Sequence, residues 1–161
     1  MGGRDRGRLI GYDPRFRTAF AALNYEWIER YFAVEQEDRL ALEDPEGYAL
    51  NKGGEIFFVV EDDTAVGTVA MVPDKESNDP GVWELAKMAV RPDRQGYGYS
   101  RLLMDACVDF ARARNAKEIM LVTNDVLTPA LGLYTSSGFV AQPQMTDQRY
   151  SRGNLQMRLR L

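Results

Sequence analysis

The sequence predicts an α/β (α+β) domain, and three stretches carry that prediction. The first, Trp83 to Met104, reads as strand, glycine turn and helix. The second is a hairpin, Glu55 to Val60 and Ala65 to Val72, folded at Asp62-Asp63. The third is the closing run, in which Leu155, Met157, Leu159 and Leu161 alternate with polar residues, as a strand with one covered face should. A chain of 161 residues suits one domain over 1–161 with a substantial core.

The elements follow in order. Residues 1–7 are polar and glycine-rich and read as a mobile lead. Leu9 to Tyr12 is a short first strand. Asp13-Pro14 starts a helix, with Asp as N-cap and Pro in the first turn. Phe16, Phe20, Leu23, Trp27, Ile28 and Tyr31 carry it at helical spacing to about Phe32. Val34 to Leu50 is charged, with a second cap-and-proline start at Asp44-Pro45, and Gly53-Gly54 ends it. After the hairpin, Pro73 to Gly81 is a polar loop and Val82 to Val90 a strand that Pro92 stops near Arg91. Beyond Gly98 a helix sets Leu102, Leu103, Ala106, Cys107, Phe110 and Ala111 on one side. Arg101, Asp105, Asp109 and Arg112 take the other. Lys117 to Thr123 is a strand and Asn124-Asp125 a loop. Thr128-Pro129 caps a short helix that Gly138 closes, and Phe139 and Val140 open another strand.

Composition narrows the function. Hydrophobic residues make up 45% and charged residues 27%, as in ordinary globular proteins. A net charge of −4 argues against a nucleic-acid footprint or an anionic membrane surface, and mildly favours a cationic amine as substrate. One cysteine permits no intrachain disulfide and points to a reducing, cytoplasmic compartment. No apolar run approaches the ~20 residues of a membrane span, and no secretory signal follows Met1. The chain contains no histidine. That removes Ser-His-Asp and Cys-His nucleophiles and every histidine-containing metal site, so acid–base work falls to Glu, Asp, Tyr, Lys, a terminus or water. No metal site is expected; Asp62-Asp63 reads as a turn.

A glycine-rich turn entering a helix is an anion site, because its amides lack intrahelical partners and the helix dipole adds positive charge. A P-loop would end in Gly-Lys-Ser/Thr, which is missing, and the third glycine of a dinucleotide fingerprint is replaced by Arg101. What remains is Gln95-x-x-Gly98-x-Ser100. It resembles the Gln/Arg-x-x-Gly-x-Gly/Ala acyl-CoA motif of the GNAT N-acetyltransferases, with Ser100 departing at the last position. A second stretch agrees. Ala130-Leu131-Gly132-Leu133-Tyr134-Thr135-Ser136-Ser137-Gly138-Phe139, after Asn124 and Pro129, resembles the family's Ala-x-x-Leu-Tyr-x-x-x-Gly-Phe signature. Leu23 to Phe32 also resembles the first helix of a bacterial subgroup, where it borders the acceptor pocket.

The resemblance implies a mixed, twisted central sheet with helices on both faces. Strands 83–90 and 117–123 would run parallel and splay apart around the pantetheine arm. It implies acetyl-CoA as co-substrate and direct attack by a primary amine, through a tetrahedral intermediate. Glu84 is the candidate base and Tyr134 the candidate acid beside the thiolate. Met88, Ala89 and Val90 would run along the pantetheine, with the main chain of Met88 and Val90 pairing with its amides. Gln95, Gly96, Tyr97, Gly98, Tyr99 and Ser100 would wrap the pyrophosphate. Arg94 could add charge there, or be a solvated arginine. Asn124 would bond the pantetheine or cap its own loop. Cys107, on an apolar face without an activating histidine, reads as a buried hydrophobe rather than a nucleophile. Trp27, Tyr31 and Trp83 would line the acceptor pocket or pack in the core.

The leading reading is therefore an acetyltransferase acting on a small-molecule or amino-acid-like amine. The alternative is a non-catalytic CoA-binding sensor or partner on the same fold. A nucleotide binder using Gly96 and Gly98 ranks last. The acceptor, the acyl chain length and the oligomeric state, a homodimer included, are left open by the sequence.

Overall fold

The computed structural model describes residues 7–142, 153 and 155–161. Of the expected lead, residues 1–6 fall outside these. Gly7 lies so close to the Tyr99 ring that a Cβ would come within 2.5 Å of it.

One sheet of seven strands organises the chain. The strands are β1 (Arg8–Ile10), β2 (Glu55–Glu61), β3 (Thr64–Pro73), β4 (Val82–Val90), β5 (Glu118–Thr123), β6 (Val140–Gln142) and β7 (Leu155–Arg160). They lie in the order β1-β2-β3-β4-β5-β7-β6. All neighbours are antiparallel except β4 and β5. The helices are α1 (Arg17–Tyr31), α2 (Gln36–Leu42), α3 (Pro45–Tyr48), α4 (Tyr99–Ala113) and α5 (Thr128–Ser136).

Helices cover both faces. Alternation along β2 sends Ile56, Phe58 and Val60 to the side of α1, where Phe20, Ile28 and Leu42 meet them. Phe57 and Val59 go to the other side, against Leu103, Phe110 and Leu121. Strands covered on both faces read as unbroken apolar runs, which is how β2 and β3 appear in the sequence. The turn between them has positive φ at Asp62 and Asp63 (46° and 70°), the hand that matches strand twist in a two-residue hairpin.

Three expectations shift. The first helix opens with a 3-10 turn, Pro14–Phe16, and its buried stripe is Phe20, Asn24 and Ile28 rather than one running through Tyr31. Asn24 tolerates the core because its Nδ2 donates to Phe20 O (3.0 Å) and its Oδ1 accepts from Trp27 Nε1 (3.1 Å). On α4, Met104 is buried where Leu102 was expected, and Leu102 is 40% exposed. Within the charged stretch after Val34 lies α2, which the sequence reading passes over. A reciprocal cap forms it: Glu35 accepts from the Asp38 backbone, and Asp38 Oδ2 accepts from Glu35 N at 2.8 Å.

The feature that positions the site is the short β4–β5 ladder. Its rungs are Val82–Glu118, Trp83–Ile119 and Glu84–Met120. The pairing stops there while β4 runs on to Val90, so from Leu85 the two strands part. The expected splay is present, and it starts at Glu84.

Candidate active site

A cleft of about 440 Å³ opens where β4 and β5 part. Glu84, Met88, Ala89, Val90, Arg94, Gln95, Gly96, Gly98, Tyr99, Ser100, Asn124 and Tyr134 all line it, with Trp27, Tyr31 and Phe32 at the α1 end. Of the residues expected in the site, Tyr97 lies outside this lining. Its ring packs on Tyr99 (5.8 Å) and under the Arg94 guanidinium (5.7 Å). Trp83 also lies outside, edge-on to Phe110 at 5.1 Å on the α4 face.

Strand alternation turns two residues into the gap. Arg91 N donates to Val66 O of β3 at 2.8 Å, so the main-chain groups of Val90 face the other way, and those of Met88 share that side. Gln95 Nε2 reaches Val90 O at 3.3 Å, consistent with this direction.

The glycine turn ends the gap. Gly96 and Gly98 have φ of +87° and +85°, and a Cβ on either would meet nothing within 4 Å. Backbone conformation rather than crowding therefore calls for glycine, and the space above both is open. Gln95 N closes the preceding turn on Pro92 O (3.4 Å), and the first helical rung is Leu102 N to Gly98 O (3.1 Å). The amides of Gly96 to Ser100 lie between those two bonds. We expect Gly98→Val to cost about 1–2 kcal/mol through the left-handed backbone alone. Urea unfolding of the variant measures this, and an unchanged midpoint would contradict it.

Arg94 is neither free nor merely solvated. Its Nε donates to both oxygens of Glu61 (2.8 and 3.0 Å), and Tyr99 Oη donates to the same carboxylate at 2.5 Å. The Tyr99 hydroxyl first, and then Arg94, hold the Glu61 carboxyl below its ordinary value. Tyr99, buried against that anion, is pushed up to about 12. This cluster ties the glycine turn to the end of β2. Tyr99 thus offers the cleft its backbone, while its ring belongs to the core.

Across the gap, Tyr134 is buried, and desolvation pushes it up to about 12, with the neighbouring Cys107 adding to the shift. Cys107 is wholly buried and its thiol is pushed up by burial, against the direction a nucleophile needs. Asn124 Oδ1 accepts from Val126 N (2.9 Å), so its oxygen caps the loop after β5.

Glu84 lies 5% exposed at the root of the splay. Three residues on, Lys87 adopts φ +58° where the register with β3 slips, a bulge in β4. Its Nζ meets Asp38 Oδ1 at 3.1 Å, with both side chains buried. Sequence reasoning missed this pair. The one available signal was a lysine in a strand that is apolar apart from Glu84. Among the described residues, no group of three or more His, Cys, Asp or Glu could hold a metal ion, and no helix is long and apolar enough to cross a membrane.

A model of the Acetyltransferase (GNAT) family matches residues 20–139. The chain belongs to this family. Human N-acetyltransferase 8B is 33% identical over 95 residues, 56% of this chain and 40% of that protein. The chain spans about half the length, or less, of the curated relatives it matches. Among solved structures, a GNAT-family acetyltransferase from Staphylococcus aureus Mu50 superposes with TM-score 0.83 at 19% identity, over 96% of this chain and 99% of that one. The yncA protein of Salmonella typhimurium, solved with its cofactor acetyl-CoA, gives TM-score 0.76 at 19% identity, over 98% and 95%. At such identities these likenesses speak to the GNAT fold, and the mixed sheet with helices on both faces agrees with them.

Proposed function

We propose that the chain transfers an acetyl group from acetyl-CoA to a primary amine of a small-molecule or amino-acid-like acceptor. One observation carries the reading: a parallel strand pair that opens at a buried glutamate, ends at a glycine turn and holds a buried tyrosine in its wall. Family membership and the acetyl-CoA named for yncA support it. A lone buried thiol fits a reducing, cytoplasmic setting.

Bound acetyl-CoA supplies an activated acyl group, which a neutral amine attacks to give a tetrahedral oxyanion from which thiolate leaves. A primary ammonium of pKa ~10.4 is free base in only roughly one molecule in 10³ at pH 7. Glu84 takes the proton that makes the nitrogen nucleophilic, directly or through water. A C–N bond forms and the C–S bond breaks. Tyr134 gives its proton to the departing sulfur, and the nitrogen's second proton returns to solvent. The main chain of Met88 and Val90 binds the pantetheine amides, and the amides of Gly96 to Ser100 bind the diphosphate.

Calorimetric titration tests the co-substrate: acetyl-CoA is expected to bind more tightly than NAD or ATP, and equal affinities would remove the reading. Tyr134→Phe is expected to slow thiol release by about 10²-fold, at the low end of acid catalysis. Because burial holds Tyr134 at about 12, no falling limb from its ionisation should appear below about pH 10. A tyrosine-dependent loss at pH 8 would contradict the assignment.

A further inference from the structure

Glu84 faces two cavities. Besides the cleft, a second space of about 280 Å³ lies on the α2 side of the sheet, bounded by α2, α3, the 3-10 turn Leu50–Lys52 and the end of β3. Among the described residues, Glu84 alone lines both. The second space is charged at its edges. Lys52 and Lys75 both border it. Glu37 borders it from the first turn of α2, next to the Asp38 that pairs with β4.

We propose that the acceptor carries a carboxylate beside its amine and occupies this second cavity, the carboxylate on Lys52 and Lys75 and the amine turned to Glu84. The inference rests on the acetyltransferase reading and names its substrate class. Two ammonium groups bordering one cavity repel, and an anion between them converts that repulsion into two charge-assisted hydrogen bonds. The Lys75 contact, ahead of burial, already holds Lys52 below its ordinary value, the direction that repulsion demands. Asp44 eases Lys52 from one side, but its Oδ1 is engaged as the cap of α3, accepting from Gly47 N at 3.1 Å.

Glu84 on β4 and Glu37 on α2 also line it, carboxylates suited to an ammonium. With Asp44 near Lys52 as a third carboxylate, the wall presents both the ammonium and the carboxylate groups that a zwitterion would meet. Its sequence layout agrees. Val72 pairs in register with Glu84, and Lys75 lies three residues further along the chain. The volume equals that of about nine waters at roughly 30 Å³ each, the scale of an amino acid rather than a peptide.

Thiol release from acetyl-CoA, measured with matched L-amino acids, their amides and their decarboxylated amines, tests this. We expect kcat/KM for the amino acids to exceed that of the matched amines and amides by tenfold or more. In a Lys52→Gln/Lys75→Gln double variant the ratio should fall to near one, through KM and not kcat, with the melting temperature held as a control. Equal rates across the matched sets, or an unchanged ratio in the variant, would overturn the inference while leaving acetyl transfer standing. No release with any amine, although acetyl-CoA binds, would instead overturn the acetyltransferase reading and this inference with it.

Discussion

Glu84→Gln is expected to lower kcat/KM about 10²-fold or more at pH 7, the scale of a removed general base. The loss should be uneven across pH. Near neutrality almost every amine molecule carries its extra proton, and the amide of glutamine cannot accept it. As pH rises towards the amine's pKa of ~10.4, free base accumulates and the deficit should shrink. Two controls separate chemistry from folding: the melting temperature and the affinity for acetyl-CoA. Both should stay close to the parent, since the glutamine keeps the shape of a side chain that is only 5% exposed. A variant as fast as the parent at pH 7 would take the base role from Glu84.

The largest expected effect on stability comes from the Lys87–Asp38 pair. The Asp38 side chain is 0% exposed and that of Lys87 5%. Lys87→Met removes the ammonium from a buried carboxylate, a change that costs about 3–5 kcal/mol. For a chain of this size that is roughly 6–20 °C in melting temperature, at about 2–4 °C per kcal/mol. Adding Asp38→Leu should restore part of the loss, because no stranded charge then remains, although the cap on Glu35 N is lost as well. Thermal unfolding of the two variants decides the matter. A single variant as stable as the parent would show that the pair contributes nothing. The same change should relax φ +58° at Lys87 and so disturb the bulge that aims Met88 into the gap.

The glycine turn and the tyrosine helix were legible because each is a local pattern. Gly96 and Gly98 announce positive φ by being glycine, and Pro92 announces where the strand must stop. The splay followed only by likeness to a family; no residue in β4 or β5 encodes it alone. What escaped the sequence depends on distant partners. Lys87 and Asp38 are 49 residues apart, and although a lysine in β4 is a signal, nothing near either residue names the other. Helix α2 was hidden because its glutamates and its aspartate read only as a charged stretch, although Glu35 and Asp38 cap it. Arg94 was offered to the phosphate or to solvent, and Tyr99 to the phosphate through the family motif. What the sequence did not show is that their side chains meet Glu61, which arrives from another strand. Trp83 was offered to the acceptor pocket or the core, and alternation along β4 sends it to the core on the opposite face from Glu84.

The three-rung ladder between β4 and β5 has a consequence for self-association. Sheets usually carry their unpaired amides and carbonyls at the periphery, where charge and brevity guard them against templating another chain. Here such groups sit at the centre, on the β5-facing side of Met88 and Val90 beside the cleft, with Val90 O already accepting from Gln95. The molecule therefore keeps an edge inside its own sheet, away from the periphery where a neighbouring chain would pair.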